Sequence, residues 1–180
     1  HVANTMPAPY YRFDGVDDKI TITDDADLDF GAGDFSIYAN IMVHSFSSTT
    51  EFISKRSGVS NTAGYMCRVS SAGLFAAEID DGAGNEVYIA DTEAITAGLW
   101  YNVVYVFDRS GNCTIYKNSI NVATGDISSV GNIDNAIDFK IGSLATFFDG
   151  QISDVKIYNK ALTAAEVKEL YSGASVPFKY

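Results

Sequence analysis

The stretch "GQISDVKIYNKALTAAEVKELY", residues 150–171, decides the fold. Its beginning, "GQISDVKIY", is rich in Ile, Val and Tyr and is typical of a β-strand. Thr163 precedes Glu166 by three residues, which forms a capping box, and apolar residues follow at helical spacing. The stretch therefore predicts a strand that leads into one short helix, from about Thr163 to Tyr171.

The rest of the chain carries the same strand signature many times. Runs rich in Ile, Val, Phe, Tyr and Thr alternate with turn-forming clusters of Gly, Asn, Ser and Asp. The runs are "KITIT" (19–23), "FSIYANIMV" (35–43), "FISK" (52–55), "YMCRV" (65–69), "LFAAEI" (74–79), "VYIA" (87–90), "WYNVVYVFD" (100–108), "CTIYK" (113–117), "INVAT" (120–124) and "DFKIG" (138–142). About a dozen short strands and one helix predict an all-β fold, a two-sheet antiparallel jelly-roll sandwich.

Length and charge narrow the possible partners. The 180 residues fit one domain, which we place at residues 10–180 with residues 1–9 as an N-terminal lead-in. The net charge of −11 makes nucleic acid and anionic membranes poor partners, whereas neutral glycans and divalent cations suit it. No run reaches the roughly 20 apolar residues of a membrane span. The start at His1 favours a piece of a larger multidomain protein.

The two cysteines leave two states open. Cys67 and Cys113 lie in separate predicted strands, without the spacing of a zinc site. A disulfide between them and two buried free thiols are both compatible with the sequence, and the free thiols are favoured.

Five blocks in order along the chain resemble one known family. They are "YYRFDGVDDKITI", "GDFSIYANIMV", "FISKRSG", "ITAGLWYNVVYVFDRSGNCTIYKNSINVATG" and "FKIGSLATFFDGQISDVKIYNKALTAAEVKELY". Together they closely resemble the laminin-G-like, concanavalin A-type jelly-roll domains, over nearly the whole chain. The resemblance implies two antiparallel sheets, one of them concave, in modules of secreted enzymes, adhesins and some virion proteins. Members of this family generally bind glycans or proteins, and many carry a structural calcium.

The resemblance also implies a site for calcium. The first and last strands lie side by side in such domains, which would bring together two copies of Phe-Asp-Gly, at 13–15 and 148–150. Clustered carboxylates suit calcium, which takes roughly six to eight oxygen ligands. We expect the ligands to include Asp14, Asp17, Asp34 and Asp154. Related domains usually read Ile-Asp-Asp-Val where this chain reads Ile-Ser-Asp-Val at 152–155, and the alternative is that these aspartates are turn and edge residues without a metal.

The sequence predicts no enzyme. Retaining glucanases on this sandwich are similar to one another in a Glu-x-Asp-x-(x)-Glu signature, whose two glutamates must hold their carboxyls about 5–5.5 Å apart. Here Glu78-Ile79-Asp80 is followed by Asp81, Gly82 and Ala83, so the second glutamate is missing. Neither the histidines nor the cysteines form a recognisable nucleophile pair, and no phosphate-binding glycine loop follows a strand.

Two functions remain open. The first is a carbohydrate-binding or adhesion module, extracellular or at the cell surface, that uses an aromatic ring and planar polar groups on a concave sheet. Its candidate residues are Tyr38, Asn40, Arg68 and Glu78, although related domains commonly have Trp where Asn40 stands. The second is a structural or protein-interaction domain, for example in a virion or surface assembly, with no sugar site.

Overall fold

The computed structural model describes residues 10–58 and 61–175. These residues form twelve β-strands, one short 3-10 helix (Ala26–Leu28) and one α-helix. In chain order the elements are β1 (Tyr11–Asp14), β2 (Ile20–Ile22), β3 (Phe35–Val43), β4 (Thr50–Lys55), β5 (Gly64–Val69), β6 (Phe75–Asp80), β7 (Glu86–Ala90), β8 (Trp100–Phe107), β9 (Asn112–Lys117), β10 (Ile120–Asp126), β11 (Phe139–Ile141), β12 (Asp149–Tyr158) and α1 (Ala164–Ser175). The predicted lead-in, residues 1–9, lies outside the described residues.

The strands form two antiparallel sheets. Sheet A has the order β1-β12-β3-β8-β9-β10, and sheet B has the order β2-β11-β4-β5-β6-β7. The first and last strands pair as expected, with Phe13 opposite Gly150 and Asp14 opposite Asp149, so the two Phe-Asp-Gly copies are neighbours. The predicted two-sheet jelly-roll sandwich is therefore confirmed.

Side-chain alternation explains why the sheets pack face to face. Alternate residues of β3, from Phe35 to Val43, are at most 1% exposed and belong to the core between the sheets. Phe35 stacks between Phe30 and Phe107, with ring centroids at 4.4 and 4.2 Å. Strand β5 contributes Tyr65 to the same cluster, at 4.9 Å from Phe35. Apolar burial of this kind is the main favourable term that holds two such sheets together.

Both cysteines lie in this core as free thiols. Cys67 on β5 and Cys113 on β9 are fully buried, and burial raises the pKa of each well above its ordinary value. Because the thiolate is the reactive species, these residues act as small apolar core residues. Of the two states that the sequence left open, the structure has the free thiols.

The α-helix closes the outer face of sheet A. The capping box forms as predicted: Thr163 N donates to Glu166 Oε2 at 2.9 Å, and Glu166 N donates to Thr163 Oγ1 at 3.3 Å. Helix α1 extends to Ser175, beyond the predicted end at Tyr171, and includes Gly173. Among the described residues, no helix is long and apolar enough to cross a membrane.

The aromatic stack gives the first prediction. Replacing Phe35, which contacts rings on both sides, with Ala should lower the free energy of unfolding by about 3–5 kcal/mol, because it leaves a cavity in the tightest part of the core. Urea unfolding followed by circular dichroism measures the change. Tyr11→Ala at an exposed position of β1 is the control and should stay within about 0.5 kcal/mol of wild type. A loss below about 1 kcal/mol for Phe35→Ala would contradict this account of the core.

Candidate functional site

The four residues expected to bind a ligand do not share one surface. Tyr38 and Asn40 lie on β3 in sheet A, whereas Arg68 lies on β5 and Glu78 on β6 in sheet B. All four face away from the core, as their place in the alternation predicted, but on opposite sides of the sandwich. The expectation that they could line a single concave sheet is therefore wrong.

Tyr38 is covered by the helix. It is 1% exposed and packs with Val104, Leu162 and Val167 in a small apolar cluster. Asn40 Nδ2 donates to the Tyr38 hydroxyl at 3.1 Å, and the Lys156 ammonium lies 4.8 Å from the centre of the Tyr38 ring. Burial raises the pKa of Tyr38. A cavity of about 410 Å³ borders this residue, but a side chain that is 1% exposed offers no ring face on which a sugar could stack.

Arg68 and Glu78 do meet, on the outer face of sheet B. Arg68 Nη2 lies 2.9 Å from Glu78 Oε2, and the other carboxylate oxygen of Glu78 accepts from Arg56 Nη1 at 2.6 Å. The Arg68 guanidinium also lies over the Tyr88 ring, 4.5 Å from its centre. Tyr88 on β7 is 49% exposed.

Arg56, directly after β4, organises this face. Its guanidinium is 2% exposed and contacts three carboxylates: Glu78 at 2.6 Å, Glu86 at 2.7 Å and Asp80 at 3.0 Å. A buried cation of this kind is stable only when carboxylates and hydrogen bonds compensate its desolvation. Sequence reasoning missed Arg56, and the signal available was that Glu78, Asp80 and Glu86 all belong to the β6–β7 hairpin and would need a shared counter-ion.

A depression of about 210 Å³ lies beside these ion pairs. We call it the sheet B depression; Glu51, Arg56, Gly58, Met66, Arg68, Glu78, Leu144 and Ala145 line it. Glu51 on β4 is the cross-strand partner of Arg68, and both Glu51 Oε2 and Arg68 Nε are buried without a hydrogen-bond partner among the described residues. A buried polar atom left unpaired costs about 1–3 kcal/mol, and both of these atoms belong to side chains that line the depression.

The pKa values of the two glutamates that bind Arg56 are shifted in opposite directions. Burial, together with a hydrogen bond to Glu86, raises the pKa of Glu78. The pKa of Glu86 is lowered by that same hydrogen bond and by its bond to Arg56. As the pH falls, Glu78 therefore takes up a proton before Glu86 does.

The four aspartates expected to bind calcium do not converge either. Asp14 and Asp17 come together with Asp18, which was not predicted, and one oxygen from each lies within 4.8 Å of the others. Asp34 instead accepts from the Arg109 backbone N–H at 2.8 Å. Asp154 pairs with Lys156 at 2.6 Å. The expectation that it would lie beside Asp14 is wrong because of the strand register. Asp149 stands opposite Asp14, and Asp154 lies about 16 Å further along β12.

The Asp14 group has some of the features of a hard-cation site. Asp14 Oδ1 accepts from the backbone N–H of Val16 at 2.8 Å, and bonds of this kind lower the pKa of Asp14 and keep it ionised. Asp14 also borders a polar cavity of about 350 Å³ lined by Gly15, Ser45, Ser47, Ser48, Thr50, Thr146, Phe147 and Asp149. Carboxylate and hydroxyl oxygens are ligands of the type that calcium takes.

The two packed antiparallel sheets define the chain as a jelly-roll domain. A family profile described as the concanavalin A-like lectin/glucanases superfamily matches residues 14–168, and the chain belongs to this family. No curated protein sequence matches the chain.

Solved structures share the fold at low sequence identity. The binding domain of Paraclostridial Mosquitocidal Protein 1 matches with a TM-score of 0.79 and 16% identity, over 96% of this chain and 45% of that one. The binding domain of botulinum neurotoxin serotype G matches at 0.73 and 19%, over 90% and 42%. A Ruminococcus gnavus IT-sialidase CBM40 bound to α2,3 sialyllactose matches at 0.72 and 13%, over 91% and 98%. The chain therefore spans less than half the length of the two toxin domains.

The buried guanidinium gives the second prediction. Arg56→Met should lower the free energy of unfolding by about 3–5 kcal/mol at pH 7, because three carboxylates lose their shared counter-ion. Their mutual repulsion raises their pKa in the folded variant, and a raised carboxyl pKa favours folding at low pH and opposes it as the pH rises. The difference in free energy of unfolding between wild type and Arg56→Met should therefore become smaller below about pH 4.

Urea unfolding at pH 7 and pH 3.5 measures both effects. Arg12→Met, at an exposed position of β1, is the matched control and should change little at either pH. A deficit of the same size at both pH values would contradict the electrostatic explanation.

Proposed function

We propose that this chain is a non-catalytic glycan-binding module of a larger secreted or surface protein, and that it binds at the sheet B depression. One observation carries the proposal: Glu51, Arg68 and Glu78 line a depression on the outer face of sheet B, and Arg68 lies against the exposed ring of Tyr88. Sugar recognition uses planar polar side chains for hydroxyls and an aromatic surface for the apolar face of the ring.

Family and comparisons support a binding role in general. The chain belongs to a superfamily that includes lectins, and the Ruminococcus gnavus module of similar fold has a bound sialyllactose. Two further structures of similar fold are binding domains of toxins. Modules of this kind act outside the cell, which supports the proposed secreted or surface location. The charge of −11 argues against nucleic acid as the partner.

The arrangement of carboxylates supports the absence of catalysis. Glu78 and Glu86 both bind the Arg56 guanidinium, at 2.6 and 2.7 Å, so they share one cation and do not stand on either side of a substrate. A retaining hydrolase needs its two carboxyls about 5–5.5 Å apart on either side of the substrate. We therefore assign Glu78 to ligand contact and to the orientation of Arg68.

A protein-interaction domain is the second candidate, and exposed aromatic residues favour it. Tyr10 and Tyr11 are 41% and 66% exposed at the edge of sheet A, and Tyr10 contacts the Trp100 ring at 5.9 Å. Exposed apolar groups that lie together are features of protein contact surfaces. Glycan binding that is insensitive to the sheet B residues, or absent, would favour this candidate.

The third prediction tests the site. Arg68→Ala and Tyr88→Ala should each weaken glycan binding by about tenfold or more, because one removes a charged donor and the other removes the ring that holds it. A glycan array identifies the ligand, and isothermal titration calorimetry with the best-bound glycan measures the loss. Arg12→Ala and Tyr11→Ala on β1 are the matched controls and should bind as wild type does. Equal losses in the controls would contradict the proposed site.

We further propose that Asp14, Asp17 and Asp18 hold a structural calcium. Three carboxylates this close repel one another without a cation, and calcium would convert that repulsion into attraction. The ion would supply charge neutralisation next to the pairing of β1 with β12 and would tie the two ends of the fold together. Its remaining ligands would be further oxygens near the group.

The fourth prediction concerns this metal. Free calcium at a hundredfold excess over Kd should stabilise the fold by about 2.7 kcal/mol, and magnesium should do so less because its smaller shell demands octahedral geometry. Thermal melts in chelator and in millimolar calcium measure the shift. Asp17→Asn should abolish it, while Asp154→Asn, which lies outside the group, should keep it. An unchanged wild-type midpoint would mean that these aspartates are turn residues without a metal.

A further inference from the structure

The charges around the sheet B depression are unbalanced in favour of acids. Arg56 and Arg68 are in ion pairs with Glu78, Asp80 and Glu86, and Glu51 lines the same depression. Four carboxylates thus face two guanidinium groups, a formal excess of two negative charges. Lys140 is the cross-strand neighbour of Ser54, which in turn pairs with Met66 in the lining. Lys140 itself does not line the depression.

Neither arginine has its charge free for an anionic ligand. Arg56 is held by three carboxylates and Arg68 by Glu78, so a ligand carboxylate would have to compete with a protein carboxylate at each guanidinium. It would also approach Glu51, whose carboxylate is the cross-strand neighbour of Arg68. Like charges at short distance in a partly desolvated site repel strongly.

The Glu51 and Arg68 side chains that line the depression suit a group that both donates and accepts hydrogen bonds. Glu51 Oε2 can only accept a hydrogen bond and Arg68 Nε can only donate one, and neither has a partner among the described residues. A sugar hydroxyl can donate to a carboxylate such as that of Glu51 and can accept from a guanidinium such as that of Arg68. A carboxylate can accept from Arg68 but has no proton for Glu51.

From these contacts we infer that the sheet B depression selects a neutral sugar, whose hydroxyl groups hydrogen-bond the Glu51 and Arg68 side chains, and rejects sugars that carry a carboxylate. This inference rests on the proposed glycan-binding function and adds the chemical class of the ligand. It also distinguishes this chain from the Ruminococcus gnavus module of similar fold, whose bound sialyllactose is an acidic sugar.

A matched pair of ligands isolates the charge. Glycans that end in a uronic or sialic acid are printed on an array beside their carboxyl-reduced forms, in which –CH₂OH replaces –COO⁻, at equal density and low salt. We expect the reduced forms to bind about tenfold or more tightly than the acids. Arg68→Ala should reduce binding to the reduced forms.

Glu51→Gln supplies the second arm, because it keeps an acceptor oxygen but removes the charge. It should retain binding to the reduced glycans and narrow their advantage over the acids. Glu93→Gln, the same change at an exposed loop residue, is the control and should leave the preference as in wild type.

The outcomes separate the inference from the function beneath it. Acidic glycans that bind as well as their reduced forms, with binding lost in Arg68→Ala, would overturn the neutral-sugar inference and leave the proposed function intact. A lack of binding to every glycan, or binding unaffected by Arg68→Ala, would overturn both. A preference for reduced forms that Glu51→Gln leaves unchanged would overturn the assigned role of Glu51 in the selection.

Discussion

The outer face of sheet B depends on the buried guanidinium of Arg56. Three carboxylates from the β6–β7 hairpin converge on this cation, and they could not lie so close together without it. Arg56 fixes Glu78, Glu78 fixes Arg68, and Arg68 in turn lies over the Tyr88 ring. A chain of contacts that begins at the buried Arg56 guanidinium therefore orients the side chains of the candidate site, and the strands alone do not.

The two faces of the sandwich are not equivalent. Helix α1 packs on the outer face of sheet A through Leu162 and Val167, and this covers Tyr38. At another point Lys117 of sheet A pairs with Asp91, which follows the last strand of sheet B, at 2.5 Å and links the sheets across the core. The outer face of sheet B thus carries the charged depression, whereas the outer face of sheet A carries the helix. The proposed ligand site therefore lies on sheet B.

Strand periodicity and capping chemistry were sufficient to predict the fold, but they could not place the site. Alternation correctly assigned Tyr38 and Arg68 to outward faces, yet it says nothing about which sheet a strand joins. The same limit affected the aspartates, because register decides that Asp149 and not Asp154 stands opposite Asp14. Asp14 and Asp17 were placed in one group correctly because they are close in sequence, whereas Asp18, their third partner, was missed. Arg56 was missed because its three partners come from other strands, and only folding brings them to it.

Stability alone does not account for so many charges on one face. An apolar set of similar volume commonly stabilises a fold as well as a buried ion pair does, since it avoids the desolvation of the charges. What the network adds is orientation, because Arg68 is held by Glu78 and Tyr88 before any ligand arrives. A side chain already fixed in one rotamer loses less conformational entropy on binding, and this raises affinity without further contacts. The same network leaves the Glu51 and Arg68 side chains at the lining of the depression, so the arrangement that orders this face also presents polar groups there.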